Sequence, residues 1–498
     1  MPLTSSGPAP KRDVFGYGEM SGRFDDVPSA EPDRGRGIWP ADEGPAPDID
    51  LTPYSEDALA VAWCNRHSAI YKFTAGMDWM HDRGARWAPD DLLTRFDRSK
   101  LLCREVAAKA TEVDDKLAPL ARKITSAACI SAVVTLARSD PRMSLGADQW
   151  DSDLMALNTP AGIVDLRTGS VRPRAGDFVT QIANVSPDST APCQVWHQFL
   201  KDVFCDDEDV IEFVQRMCGY FMTGSVEEQK IFFAWGSGGN GKSVFIDLIE
   251  RIIGTYATRL PSEALMTSKN ERHPTEIAML RSKRLAISSE LEEGAYWAES
   301  KLKSLTGDAT NQARFMRGDF FEFKQTQKHL IIGNYKPRLR GGDAALARRF
   351  VLIPFNATFN GEKRDLRIVE KLWAEAPAIL DWMIRGAVMW RAGGLQVPDS
   401  ISSASAEYMA DNDDIAIWQA ECCVFAPENQ TKASTLYESF STWLKSRGQH
   451  APSLRVWGER MATDKRVTKK ISAGVKYIGV RLTQDETDRV YQLQRGRI

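Results

Sequence analysis

A chain of 498 residues, 43% apolar and 26% charged, has the length for roughly three domains and the apolar content for ordinary cores. No apolar run approaches the roughly 20 residues that a membrane span requires, and the first residues lack the apolar stretch of a secretory signal. The net charge of −3 excludes a protein coated in basic surface, but not one whose basic residues line a single channel. Residues 1–48, rich in Pro, Gly, Asp and Arg, read as a disordered arm. Ser55 can cap a helix carrying Leu59 and Trp63. A hairpin follows from 77 to 87, turning at Asp82-Arg83-Gly84. Two helical stretches cover about 90–137, and a second hairpin starts at 162–166 and turns near Thr168-Gly169. From about 192 the pattern is helical again, through Trp196, Phe199, Leu200 and Phe204, then Val210, Phe213 and Met217.

Residues 236–243 read Gly236-Ser237-Gly238-Gly239-Asn240-Gly241-Lys242-Ser243, a complete G-x-x-x-x-G-K-[ST] pattern. An apolar strand, 230–235, precedes it, and a helix over 244–253, stopped by Gly254, follows. In that context the glycines let backbone N–H groups wrap phosphates, and the helix N-terminus adds partial positive charge. Lys242 supplies a point charge to the same oxygens, and the Ser243 hydroxyl can hold Mg²⁺. The expectation is a site for ATP with Mg²⁺.

The strand 284–289 runs into Glu290, with Glu292 just beyond, acids placed to hold the metal through water and to polarise an attacking water. A further apolar strand, 330–333, ends at Asn334, whose amide can orient that water or simply make a turn. Arg348 and Arg349 stand at the start of the strand 351–354, as an arginine finger or as a salt-bridge partner of Asp343. Strands and helices alternate to about 355, which predicts an α/β core with a largely parallel sheet. A helical stretch covers 366–394, and Pro398 with the Ser-rich 400–405 marks a connector. Helices at 433–446 and 454–463, a basic loop and a strand at 476–482 then follow the order of a winged helix-turn-helix. Eight scattered cysteines without a C-x-x-C indicate reduced thiols in a cytosolic protein, with no zinc site or disulfide framework.

Taken in order, four motifs resemble the helicase part of the phage and plasmid primase–helicase family, within superfamily 3 and similar to the poxvirus primase–helicase. They are the glycine loop, the acidic strand end at Glu290 and Glu292, the segment from Lys301 through Lys303 to Gly307-Asp308, and Asn334. Upstream, the segments 157–166 and 218–224 match as well, so the resemblance covers about residues 50–485. It implies an AAA+-like P-loop ATPase core at 196–395, a mainly helical, collar-like domain at 49–195 and a winged-helix DNA-binding domain at 396–498. A homo-oligomeric ring, hexameric or heptameric, would hold ATP between subunits. Lys242, Ser243, Glu290 and Asn334 would act in one subunit, and Arg349 or Arg348 from its neighbour.

The resemblance also implies a DNA-contacting hairpin at 314–324, carrying Arg314, Arg317 and Lys324 and flanked by Lys303. Read from its residues alone, that stretch is two β-like runs around Arg-Gly-Asp, suited to gripping single-strand phosphates or to an ordinary surface hairpin. Lys469 and Lys470 supply the basic element of the terminal domain. The expected activity is translocation on single-stranded DNA and unwinding of forked duplex in phage, prophage or plasmid replication, in the cytoplasm of a bacterial host. A separate primase or initiator is an expected partner, and no membrane is involved. An origin-binding initiator that uses ATP as a switch is the alternative; a small-molecule kinase would need a lid and an acceptor pocket. Two departures matter. About 50 residues precede the first helix, too few for a polymerase core, so priming is not expected. Ser289 stands where many related ATPases carry a second acid, leaving Glu290 and Glu292 to share the metal and base roles.

Overall fold

Short apolar runs, buried on both faces, build the centre of the molecule as parallel pairing requires. The computed structural model describes residues 53–267, 275–289, 296–314, 319–339, 344–359, 364–472 and 474–495. The expected arm at 1–48, Glu290, Glu292, Arg317 and Asp343 lie outside the described residues. Within them, five strands form one sheet: Ile231–Trp235 (β1), Ala257–Arg259 (β2), Leu285–Ser288 (β3), Lys328–Gly333 (β4) and Phe350–Pro354 (β5). Their order is β5-β1-β4-β3-β2, and every neighbouring pair is parallel. Ile231 pairs with both Phe350 and His329, and Trp235 with both Pro354 and Gly333. The C-terminal ends of β5, β1 and β4 therefore fall on one line, from which the glycine loop and Asn334 emerge. Helix α1 (Lys242–Ile253) buries Phe245, Ile246, Ile249, Ile252 and Ile253 and ends at Gly254, whose φ of +60° suits glycine.

The Ser-rich 400–405 is not a connector. It lies in a helix, Asp399–Ala410, with Ile401, Ser405 and Tyr408 buried along one face. That helix covers the open edge of β5, where the Leu352 N–H donates to Ser405 Oγ at 2.9 Å. Serine counts against a helix by propensity, and here tertiary burial of one face outweighs it. The expected domain boundary at 396 thus cuts ahead of a helix that packs in the same apolar cluster as β1 and β5.

The N-terminal part is less purely helical than expected. Three helices, Thr94–Val113, Ala118–Ile124 and Ala127–Leu136, stand where two were read, and two three-stranded antiparallel sheets accompany them. One is the 77–87 hairpin extended by Tyr71–Thr74; the other adds Ala156–Thr159 to the pair Gly162–Asp165 and Val171–Arg172. This part is tied to the sheet by polar bonds. The Asn158 N–H donates to Tyr256 Oη at 2.9 Å, and Arg284 Nη2 donates to the Ala156 carbonyl at 2.7 Å. Below the sheet, helices Glu208–Met222 and Ala376–Gly393 cross at Gly219 and Gly386. A Cβ on Gly219 would stand 2.0 Å from the Ala387 nitrogen, so the crossing admits no side chain there.

Residues beyond 411 form a separate apolar cluster around Trp418, Phe440, Trp457 and Tyr477. Helices Asp414–Cys422, Ala433–Ser446, Leu454–Met461 and Gln484–Arg495 pack with an antiparallel sheet, Cys423–Lys432, Gly474–Leu482 and Thr468–Ser472, the strand 474–482 being central. The basic stretch read as a loop is strand from Thr468 onward. Strand Cys423–Lys432 escaped the sequence because its pairing slips between Phe425 and Gln430, across a polar run that breaks the alternation. Among the described residues no single helix is long and apolar enough to cross a membrane.

Candidate functional site

The loop between β1 and α1 turns through three glycines with positive φ, Gly238 at +98°, Gly239 at +62° and Gly241 at +79°. Asn240 fixes the turn: buried, it donates from Nδ2 to the Phe355 carbonyl at 3.0 Å, just past β5. Helix α1 starts at Lys242, so its first N–H groups point back at the loop. The Lys242 ammonium is buried and donates to the Gly236 carbonyl at 2.8 Å, the Gly333 carbonyl at 3.3 Å and Asn334 Oδ1 at 2.9 Å. Burial lowers its pKa below the ordinary lysine value. A cation held only by neutral oxygens is poised to accept an anion. Ser243, next to it, is exposed and leaves its hydroxyl available to a metal ion. Ser237, Gly238 and Gly239 are exposed at the loop's outer side.

These groups form one end of a cleft of about 1000 Å³. Its other walls are Gln194, Gln198, Phe199 and Asp202 on helix Gln194–Phe204, and the segment from Arg364 to Lys371. Lys371 is committed to Asp365 at 2.7 Å, whereas Arg364 makes no ion pair among the described residues. Nothing local marks Arg364 in the sequence, because it sits in a polar run that reads as loop. Its place in the cleft comes from chain folding beyond β5.

The remaining candidates lie elsewhere. Arg349 precedes β5 at the sheet's opposite end, about 17 Å from the glycine loop for a five-residue strand. Its Nη1 donates to the Lys303 carbonyl at 3.3 Å, and its buried Nε has no hydrogen-bond partner among the described residues. Thus Arg349 rests on helix Glu299–Gly307, the helix of the Lys301-to-Asp308 motif, which also carries Lys303. Arg348 is exposed, and its carbonyl accepts from Lys230 Nζ. The 314–324 hairpin has its strands at Thr310–Ala313 and Phe321–Lys324, earlier than read for the first strand. Arg314 stands at the tip end with its guanidinium 4.9 Å from the Phe320 ring, whereas Lys324 pairs with Thr310 at the base. Lys324 there lines a cleft of about 410 Å³ with Asp151, Arg281 and Arg284, so the structure does not bring it to Arg314. Lys469 and Lys470 are exposed in the C-terminal sheet.

Residues 60–205 match the family described as D5 N terminal like, and residues 234–349, spanning β1 to Arg349, match a family of unknown function. The chain is 24% identical over 335 residues to "Putative helicase 121R" of Invertebrate iridescent virus 3, covering 60% of this chain and 36% of that protein. It is 23% identical over 282 residues to "Putative helicase 022R" of Frog virus 3, covering 52% of this chain and 29% of that protein. These matches support a likeness to the D5-type primase–helicases. The chain spans about a third of the length of those curated relatives. Among solved structures, the apo A form of the NrS-1 C-terminal region is similar at 12% identity with a TM-score of 0.46, covering 85% of this chain and 99% of that one.

Proposed function

We propose that this chain is an ATP- and Mg²⁺-dependent DNA helicase of superfamily 3, with an AAA+-like P-loop core and a C-terminal winged helix. It would work as a homo-oligomeric ring, hexameric in the simplest case, that translocates on single-stranded DNA and unwinds forked duplex during phage, prophage or plasmid replication in a bacterial cytoplasm. A separate primase or initiator is the expected partner. The observation that carries the reading is Lys242, an ammonium held on carbonyl and amide oxygens where three parallel strands end, at the mouth of a nucleotide-sized cleft.

In this reading the loop N–H groups and Lys242 bind the β- and γ-phosphates, and Asn334, released from Lys242 by the arriving anion, orients the attacking water. Bound Mg²⁺ would neutralise phosphate charge, with the exposed Ser243 hydroxyl and Glu290 as its ligands. Glu290 or Glu292 takes the proton of that water. Arg349 cannot serve the loop of its own subunit from the far end of β5, so a stabilising role falls to a neighbour's site. Hydrolysis there would shift helix Glu299–Gly307 through its Arg349 contact and, next in the chain, the hairpin bearing Arg314 and Arg317.

The test is strand displacement from a forked duplex with ATP and Mg²⁺, using 3′-tailed and 5′-tailed substrates. Displacement that Lys242→Ala abolishes supports a helicase, and the preferred tail gives the polarity. Hydrolysis by the wild type without displacement would favour the initiator.

A further inference from the structure

Three lysines share one transverse row of the C-terminal sheet. Lys476, in the central strand, pairs with Lys432 on one side and Lys470 on the other. Directly opposed residues place their Cβ atoms about 5 Å apart on a common face. That face points outward, because the next row centres on Tyr477, which is buried against Trp457 in the core of this part of the chain. The neighbouring outward row is Gln430, Ile478 and Thr468, so neither outward row holds a carboxylate. Among the described residues none of the three lysines makes an ion pair, and like charges so placed repel.

Helix Leu454–Met461, which a helix-turn-helix would send into a DNA groove, has the opposite character. Its Arg455 is paired with Glu459 at 3.0 Å, and its Arg460 with Asp413 at 3.1 Å. Both arginines of this helix thus have a carboxylate partner, Arg455 in an exposed pair, whereas the three sheet lysines have none among the described residues.

We infer that the outward face of the sheet, centred on Lys432, Lys476 and Lys470, binds the phosphate backbone of duplex nucleic acid, and that helix Leu454–Met461 is not the contacting element. Three lysines on adjacent strands, with Cβ atoms about 5 Å from one to the next, suit a polyanion with regularly spaced charge. The two outward rows carry no aromatic ring on which an unpaired base would stack, which favours duplex over a single strand. This inference rests on reading the C-terminal part as nucleic-acid-binding; it does not depend on ATP hydrolysis or unwinding.

The experiment is fluorescence anisotropy of a labelled blunt duplex and a labelled single strand, titrated with the full chain without nucleotide over a series of salt concentrations. The triple variant Lys432→Gln, Lys470→Gln, Lys476→Gln should lower the slope of log K against log salt for duplex by about 2 to 3, at about 0.9 per phosphate contact. The edge variant Lys470→Gln should lower it by about 1, and Arg455→Gln should leave it unchanged. Urea midpoints should not fall in the triple variant, since repulsion is removed; if it fails to fold, Lys470→Gln alone carries the test. An unchanged duplex slope, a loss confined to single strands, or a loss caused by Arg455→Gln would overturn the inference. If the triple variant loses the duplex slope while the wild-type chain hydrolyses no ATP, the helicase reading falls and this one stands.

Discussion

Lys242 and Asn334 are joined by a 2.9 Å hydrogen bond, ammonium to amide oxygen, across the C-terminal ends of the adjacent strands β1 and β4. The bond couples the residue proposed to grip phosphate with the residue proposed to orient water. Lys242→Ala should abolish ATP turnover. Asn334→Ala should retain nucleotide binding and lower kcat by about 100-fold, the usual cost of one positioned polar group. Steady-state kinetics with a fluorescent-nucleotide titration separates the two, and wild-type turnover in Lys242→Ala would remove the phosphate-loop assignment.

Arg349 and Lys242 sit at opposite ends of the same sheet, which makes a trans role testable by mixing. Arg349→Ala should bind nucleotide and lose about 1000-fold or more in kcat. Equal mixing with Lys242→Ala protein should return up to about a quarter of wild-type turnover, since randomly assembled rings then contain interfaces with both groups intact. No recovery in rings shown to exchange subunits would assign Arg349 to its own subunit.

His329 lies in β4, buried, with neither ring nitrogen hydrogen-bonded among the described residues. Burial pushes its imidazole down to about 4 from the ordinary 6.5, so it is neutral in the folded chain near neutrality. Between those values the unfolded chain binds the extra proton, and stability therefore falls as pH falls through that window. The loss attributable to this group should reach about 2 to 3 kcal/mol by about pH 4.5. Urea unfolding of wild type and His329→Leu at both ends of the window measures it. A stability difference between the two proteins that stays constant with pH would show that His329 does not titrate in this way.

Ser405 accepts from the Leu352 N–H at 2.9 Å and donates to the Ile401 carbonyl at 2.7 Å. Ser405→Ala leaves a buried edge donor of β5 without an acceptor and should cost about 1 to 3 kcal/mol. An unaltered urea midpoint would mean that helix Asp399–Ala410 holds the edge by apolar contact alone.

The glycine loop, its flanking strand and helix, and the parallel character of the sheet are all legible along the chain. Each follows from local signals: glycines where φ is positive, apolar runs without alternation, and Gly254 stopping a helix. Candidate residues next to those strand ends, Lys242 and Asn334, were legible for the same reason. That Arg349 lies a strand's length from Lys242 follows from folding, because register is a property of paired strands and not of any one of them. Packing likewise makes the serine-rich stretch a helix sealing β5, where burial outweighs propensity, and brings Arg364 to the cleft. The lysine row at 432, 476 and 470 is the clearest case. Lys432 stands 44 residues before Lys476 and meets it only when antiparallel strands pair, so no local window along the chain contains all three charges.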